Sequence, residues 1–251
     1  MHYESLFGIR YTITEYEEAC HIIINKAKEG QSYAVTALAV HGLIEGYRNQ
    51  LLMSQINKID MVVPDGQPIR WALNYFFNAS LKDRVYGPTL MLKVLSAAEQ
   101  NKIGIFLYGS TPETIKKLTS FISRTYPGIV ISGTQADRFR DSTLEEVAQD
   151  RETIIKSGAQ IVFVGRGCPR QEKWVVENKY FLPAVLIAVG AAFDFHAGNV
   201  KQAPGWIQDA GLEWLYRLVK EPRRLWKRYL ITNSVFIGLF FINAVKKGFK
   251  R

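Results

Sequence analysis

The chain is poor in the residues that hold metals and disulfides. Its 251 residues include two cysteines, Cys20 and Cys168, and four histidines, His2, His21, His41 and His196. Two distant thiols build no disulfide framework, and neither lies in the CxxC spacing of a zinc or redox pair. The histidines lack metal-ligand spacing, and no DxD pair is present to hold a divalent ion against a diphosphate; no metal is expected. GxGxxG and GxxxxGK[ST] are also missing, which weakens a nicotinamide or ATP reading. The opening MHYESLFGIRYTITEYEEAC has acids and aromatics where a signal peptide needs a positive start and an apolar run. The chain therefore reads as cytoplasmic, in a reducing compartment. Repeats and low-complexity linkers are absent, and 47% hydrophobic content is enough to bury a substantial core.

Charge is unevenly placed. From Arg217 onward, ten basic side chains face the single acid Glu221, and this segment alone accounts for the formal net charge of +9. Residues 1–216 are neutral, so the basic character belongs to the tail and not to the body.

Short apolar runs alternate with helical patterns, the signature of a mostly parallel sheet flanked by helices. GIFLYG (104–109), GIVISG (128–133), QIVFVG (160–165) and AVLIAVG (184–190) are the clearest strands. SYAVTALA, DMVVPDG and DRVYG read as earlier strands between helices near 43–56, 67–79 and 88–101. The expected fold is α/β, a Rossmann-like catalytic core over 1–205, with a basic, amphipathic, helical appendage over 206–251 that associates with membrane.

In such sheets ligands bind at the carboxyl ends of the strands, so the loops there hold the candidate residues. Asp65 in VPDGQP follows an apolar strand and precedes Gly66, which suits either a turn or cap aspartate or a general base. In VGRGCPRQE, Gly165 and Gly167 allow close approach of a ligand to the backbone, and Pro169 opens a helix. Gln171 and Glu172 are first-turn polar residues or sugar contacts, and Cys168 reads as a structural thiol. Asp194 follows the AVLIAVG strand, where it either accepts from a ribose hydroxyl or is satisfied by backbone.

The tail combines clustered arginines with Trp214, Trp226 and several leucines, then runs into a largely apolar stretch, 229–245, closed by KKGFKR. Thr232, Asn233, Ser234 and Asn243 interrupt that stretch, which falls short of the roughly 20 clean apolar residues of a spanning helix. It reads as lying on the membrane, with Trp226, Lys227, Phe236, Phe240, Lys246 and Lys247 as membrane contacts. Each Lys or Arg near anionic lipid contributes about 1 kcal/mol. Nucleic acid is the weaker partner, because no helix-turn-helix, RNA-binding or finger signature accompanies the charge.

Taken together, VPDG, GPTL, FLYGS, YPGIVISGT, VGRGCPRQEKW and the block from Val189 to Tyr229 resemble the WecG/TagA/CpsF family of bacterial glycosyltransferases, glycosyltransferase family 26. The resemblance implies an inverting, metal-independent enzyme. It would move a sugar from a UDP-sugar, a substrate and not a cofactor, to a glycan on polyprenyl diphosphate in cell-surface polysaccharide synthesis. It also implies peripheral attachment at the cytoplasmic face of the inner or plasma membrane, and leaves a homo-oligomer open. Position by position, Asp65 matches the family's catalytic base and Gln171 a sugar-pocket glutamine. Arg217, Arg223, Arg224 and Arg228 match tail arginines that close over the donor diphosphate. Thr36, Gly109, Ser110, Gly165, Gly167, Gly190 and Asp194 are the remaining expected donor or sugar contacts. Many members read T-x-N after the first strand; here Thr36 comes one position early and Ala39 takes the asparagine's place. Outside this family, a nucleotide or nucleic-acid binding module with a basic tail and a Rossmann oxidoreductase are the alternatives.

Overall fold

The computed structural model describes residues 1–248; the basic Lys250 and Arg251 lie outside the described residues. The chain opens with a hairpin, β1 (His2–Leu6) and β2 (Ile9–Ile13), turned through Phe7 and Gly8, both at positive φ. Then follow α1 (Tyr16–Lys28), β3 (Tyr33–Leu38), α2 (Val40–Arg48), α3 (Gln50–Ile56) and β4 (Met61–Pro64). Next come α4 (Gln67–Phe77), α5 (Gly87–Gln100), β5 (Gly104–Gly109), α6 (Pro112–Thr125), β6 (Val130–Gln135), α7 (Leu144–Lys156) and β7 (Ile161–Gly165). The chain continues through α8 (Arg170–Asn178), β8 (Val185–Ala188), α9 (Ala192–His196), α10 (Gly205–Asp209), α11 (Glu213–Lys220) and α12 (Pro222–Gly248).

Six strands form one parallel sheet in the order β4-β3-β8-β7-β5-β6. Apart from β6, these strands are buried almost throughout, because helices cover both faces; this is why they read as continuous apolar runs and not as alternating ones. One apolar layer gathers Leu38, Ile44, Val162, Leu186 and Val175, and the other gathers Val35, Leu90, Leu95, Phe163 and Phe193. The edge strand β6 carries the polar run Ser132–Gln135 and is half-exposed. At the opposite edge the hairpin covers β4: Val62 N–H donates to Thr12 Oγ1 at 3.2 Å.

Two expectations are corrected. DRVYG (83–87) is not a strand. Only Val85 N–H reaches β4, at Pro64 O (2.9 Å), and the segment then turns into α5 at Gly87 and Pro88. The helix near 43–56 is two helices, broken at Asn49, whose side chain accepts from Leu52 N–H and caps α3. The hairpin β1–β2 has no counterpart in the sequence reading.

The polar residues in the tail do not interrupt its helix. Thr232 Oγ1 donates to Arg228 O and Asn243 Nδ2 to Leu239 O, each at 2.8 Å, so α12 absorbs them by bonding back one turn. The result is a 27-residue helix, about 40 Å at 1.5 Å per residue, long and apolar enough to cross a membrane by length and composition. It lies along α2 and α4. Leu225, Tyr229, Thr232 and Phe236 form its buried stripe at the three- and four-residue spacing of one helix face.

Two expected membrane contacts are therefore turned inward. Phe236 is 7% exposed and meets the Phe7 ring edge-on, with centroids 5.9 Å apart. Lys247 Nζ donates to Tyr75 O (2.6 Å) and Phe76 O (3.1 Å), satisfying carbonyls at the end of α4. Phe240 is half-buried against Tyr75 and Phe76, whereas Trp226, Lys227 and Lys246 face outward.

Candidate active site

The carboxyl ends of β3, β4, β7 and β8 open onto a cleft of about 340 Å³. Asp65 stands at its floor, one residue beyond β4, with its amide held by Leu38 O. Gly66 follows at φ 97°, a conformation that releases the chain directly into α4. Gly87 backs the carboxylate. A methyl group there would meet Val189 O at 3.1 Å and Ala37 Cβ at 3.2 Å, so the absence of a side chain lets α5 start close to Asp65 without displacing its neighbours.

Burial pushes the Asp65 carboxyl up to about 7. The Arg84 guanidinium opposes this, the Glu213 carboxylate adds to it, and the Gly87 amide and Arg217 oppose it further. Arg84 is shared: its Nη1 donates to Glu213 Oε2 at 2.9 Å and its Nη2 to Gln208 Oε1 at 2.6 Å, while Tyr86 OH donates to Glu213 Oε1 at 2.5 Å. The side chains of Arg84 and Glu213 are 7% and 11% exposed. The first residue of α11 is thus locked by a nearly dry ion pair into the chamber that holds Asp65.

The glycine loop forms another wall. Gly165 lines the cleft, but its own environment demands glycine, since an added Cβ would lie 2.6 Å from the Phe193 ring. Gly167, at φ 74°, has open space around it. Gln171 is buried and accepts from Gly190 N–H at 3.0 Å, while its amide donates to Glu172 Oε1 at 2.9 Å. Thr36 Oγ1 donates to the same carboxylate oxygen at 3.0 Å. This buried network joins β3, the first turn of α8 and the loop after β8, and burial raises the Glu172 carboxyl above its ordinary value.

Of the expected contacts, Asp65, Ser110, Gly165, Gly167, Gln171, Gly190, Asp194, Arg217, Arg224 and Arg228 converge on the cleft. Thr36 and Gly109 lie behind its wall: Thr36 is fully buried, and Gly109, at φ 116°, packs on the Gly165 backbone. Arg223 is exposed and outside the lining. Arg228 is half-buried, and desolvation pulls its guanidinium below the ordinary value. Arg217 reaches over the Phe195 ring at 5.5 Å, and Arg224 Nε donates to Glu221 Oε2 at 2.6 Å.

Arg84, Tyr86, Glu213 and His41 also surround the site and were not singled out from the sequence as site residues. Burial and the nearby Arg228 charge lower His41 to about 4, which keeps it neutral. Arg84 and Glu213 are 129 residues apart, and no local pattern joins them. Among the described residues, no group of three His, Cys, Asp or Glu side chains gathers as a metal-binding cluster.

The profile of the Glycosyl transferase WecG/TagA/CpsF family matches residues 4–250. Two relatives bear the name N-acetylglucosaminyldiphosphoundecaprenol N-acetyl-beta-D-mannosaminyltransferase. The one from Bacillus subtilis is 37% identical over 176 residues, covering 70% of this chain and 66% of its own length. The one from Bacillus spizizenii is 30% identical over 200 residues, covering 79% of this chain and 75% of its own.

Proposed function

Because the chain belongs to the WecG/TagA/CpsF family of glycosyl transferases, we propose that it moves an N-acetylhexosamine from a UDP-sugar to a polyprenyl-diphosphate-linked N-acetylglucosamine. The transfer inverts the anomeric carbon and uses no metal ion. The relatives' names support the lipid-linked acceptor and favour N-acetylmannosamine as the sugar. The observation that carries the reading is a carboxylate titrating near 7 at the floor of a cleft into which three tail arginines project.

In this mechanism ionised Asp65 takes the proton of the acceptor hydroxyl as its oxygen attacks the anomeric carbon from the face opposite UDP. The bond from that carbon to the diphosphate oxygen breaks, and its electron pair departs with UDP. One displacement with one base gives inversion. A base poised near neutrality is ionised at working pH yet still basic enough to accept a proton. The charge gathering on the diphosphate is met by Arg217, Arg224 and Arg228, whose forked donors suit phosphate oxygens; removing one such stabiliser costs about 10²-fold in rate.

The enzyme works at the cytoplasmic face of the membrane as a peripheral protein. Exposed Trp226, Leu230 and Phe241 support this, together with Lys227 and Lys246 on the same helix. Since the arginines and the lipid-facing residues share one segment packed on the body, membrane docking sets the orientation of an already assembled donor site relative to the lipid. The test is to incubate the full chain with a panel of UDP-sugars and a short-chain acceptor in excess chelator, then weigh the product. One added N-acetylhexosamine is expected; no added sugar from any donor, or transfer only when a divalent ion is restored, refutes the proposal in the corresponding part.

A further inference from the structure

A second hollow, of about 660 Å³, runs beside the charged cleft between α4, α11 and α12. Pro68 and Trp71 form one wall, Trp214 and Leu218 another, and Leu230 and Ile237 the third. A narrow chamber of about 140 Å³ joins it to the cleft. That chamber shares Val40, Pro68, Trp214, Tyr229 and Asn233 with the apolar groove, and Asp65, Arg217 and Arg228 with the cleft. From cleft through chamber to groove the lining therefore changes from polar and cationic, past the carboxylate, to predominantly aromatic and aliphatic, with Asn233 and Ser234 as the groove's polar members.

We propose that this groove holds the first isoprene units of the acceptor's polyprenyl chain, with the acceptor's own diphosphate in the narrow chamber by Asn233, next to the Arg228 that meets the donor diphosphate in the cleft. The inference rests on the lipid-linked acceptor proposed above. The order of chemistry along the path is that of the acceptor itself: sugar, diphosphate, hydrocarbon. A protein segment or second copy would offer no anion in the chamber to match the arginines. The far end opens among outward-facing apolar residues, Leu230 at 62% exposure, Ile237 at 53% and Phe241 at 64%, so a chain longer than the groove continues into lipid without crossing water. Its volume lies within the roughly 300–1,000 Å³ of small-molecule pockets, room for the start of such a chain and not for all of it.

The experiment uses the full chain and soluble acceptors, without vesicles. The acceptors carry the same sugar diphosphate on an ethyl group or on one, two or three isoprene units. Each five-carbon unit that enters the groove is expected to raise kcat/KM by about tenfold, followed by a plateau once the groove is filled. Leu230→Gln and Ile237→Gln, both exposed helical positions, reduce the ratio between the three-unit and ethyl acceptors at least tenfold. Leu144→Gln, on a distant and exposed helix, keeps that ratio.

Turnover that ignores chain length in the parent protein overturns the groove assignment alone. So does an undiminished ratio in both groove variants, even if those variants bind vesicles less well; the groove would then be a membrane contact only. Absence of transfer to every acceptor removes the acceptor reading, and the groove's occupant with it.

Discussion

Replacing Asp65 by asparagine should separate the two consequences of its buried charge. The carboxyl is carried from an ordinary 3.8 to about 7 by burial, with Glu213 reinforcing and Arg84 opposing the change. Between those values the folded chain holds a proton that the unfolded chain has lost, so raising the pH through this window destabilises the fold. At about 1.36 kcal/mol per pH unit, the penalty approaches ~4 kcal/mol above pH 7, and solvent at the cleft mouth reduces it to about 2 kcal/mol. Asparagine carries no such penalty. Asp65→Asn is therefore expected to be more resistant to urea than the parent at pH 8, by about 2–4 kcal/mol, with the advantage shrinking towards zero near pH 4. Sugar transfer should meanwhile fall by on the order of 10²–10⁴-fold with UDP affinity retained, because the base contributes to the transition state and not to donor binding. A variant equal in stability to the parent at both pH values would refute the electrostatic account of this carboxylate. Undiminished turnover would refute its role as base.

Glu213→Gln keeps the shape of the Arg84 and Tyr86 contacts but removes the charge that raises Asp65. The acid limb of the pH–rate profile should move below the parent's midpoint near 7; Glu213→Ala, which strands Arg84 in a nearly dry site, should lose about 3–5 kcal/mol in a denaturation curve. Gly165→Ala drives a methyl group into the Phe193 ring and should cost about 1–3 kcal/mol, whereas Gly167→Ala meets no atoms and should cost only the roughly 1–2 kcal/mol of its left-handed backbone. Flotation with anionic vesicles should show Lys227→Gln and Lys246→Gln each weakening binding by about fivefold, from about 1 kcal/mol per cation, an effect that disappears at high salt. Lys247→Gln should weaken binding less, because its ammonium is occupied by the carbonyls of Tyr75 and Phe76.

The sheet was largely legible because its strands are buried on both faces and so stand out as apolar runs against amphipathic helices. The hairpin β1–β2 was not, since HYESL and IRYTI mix charged and apolar residues in runs of five, too short for periodicity to distinguish from loop. DRVYG misled for the opposite reason: Val85 and Tyr86 are buried like strand residues, but they line a loop that carries Arg84 to the site. The strand-end rule located Asp65, Gly165, Gly167 and Gly190 in the cleft. It had no means of finding Arg84 and Glu213, which act through a pairing that only the folded chain creates. Phe236 and Lys247 show the limit of composition, because a tail rich in aromatics and cations does not reveal which of them face the body.

The anchoring of α12 along its whole length has a mechanical consequence. Held from Leu225 to Lys247 on one flank, it cannot swing like a tethered arm; it acts as a keel. Whatever rests its outer flank on a bilayer sets the roll of the entire molecule, and with it the height at which Asp65 rides above the lipid. Reach is then decided by the geometry of a rigid hull rather than by the slack of a leash.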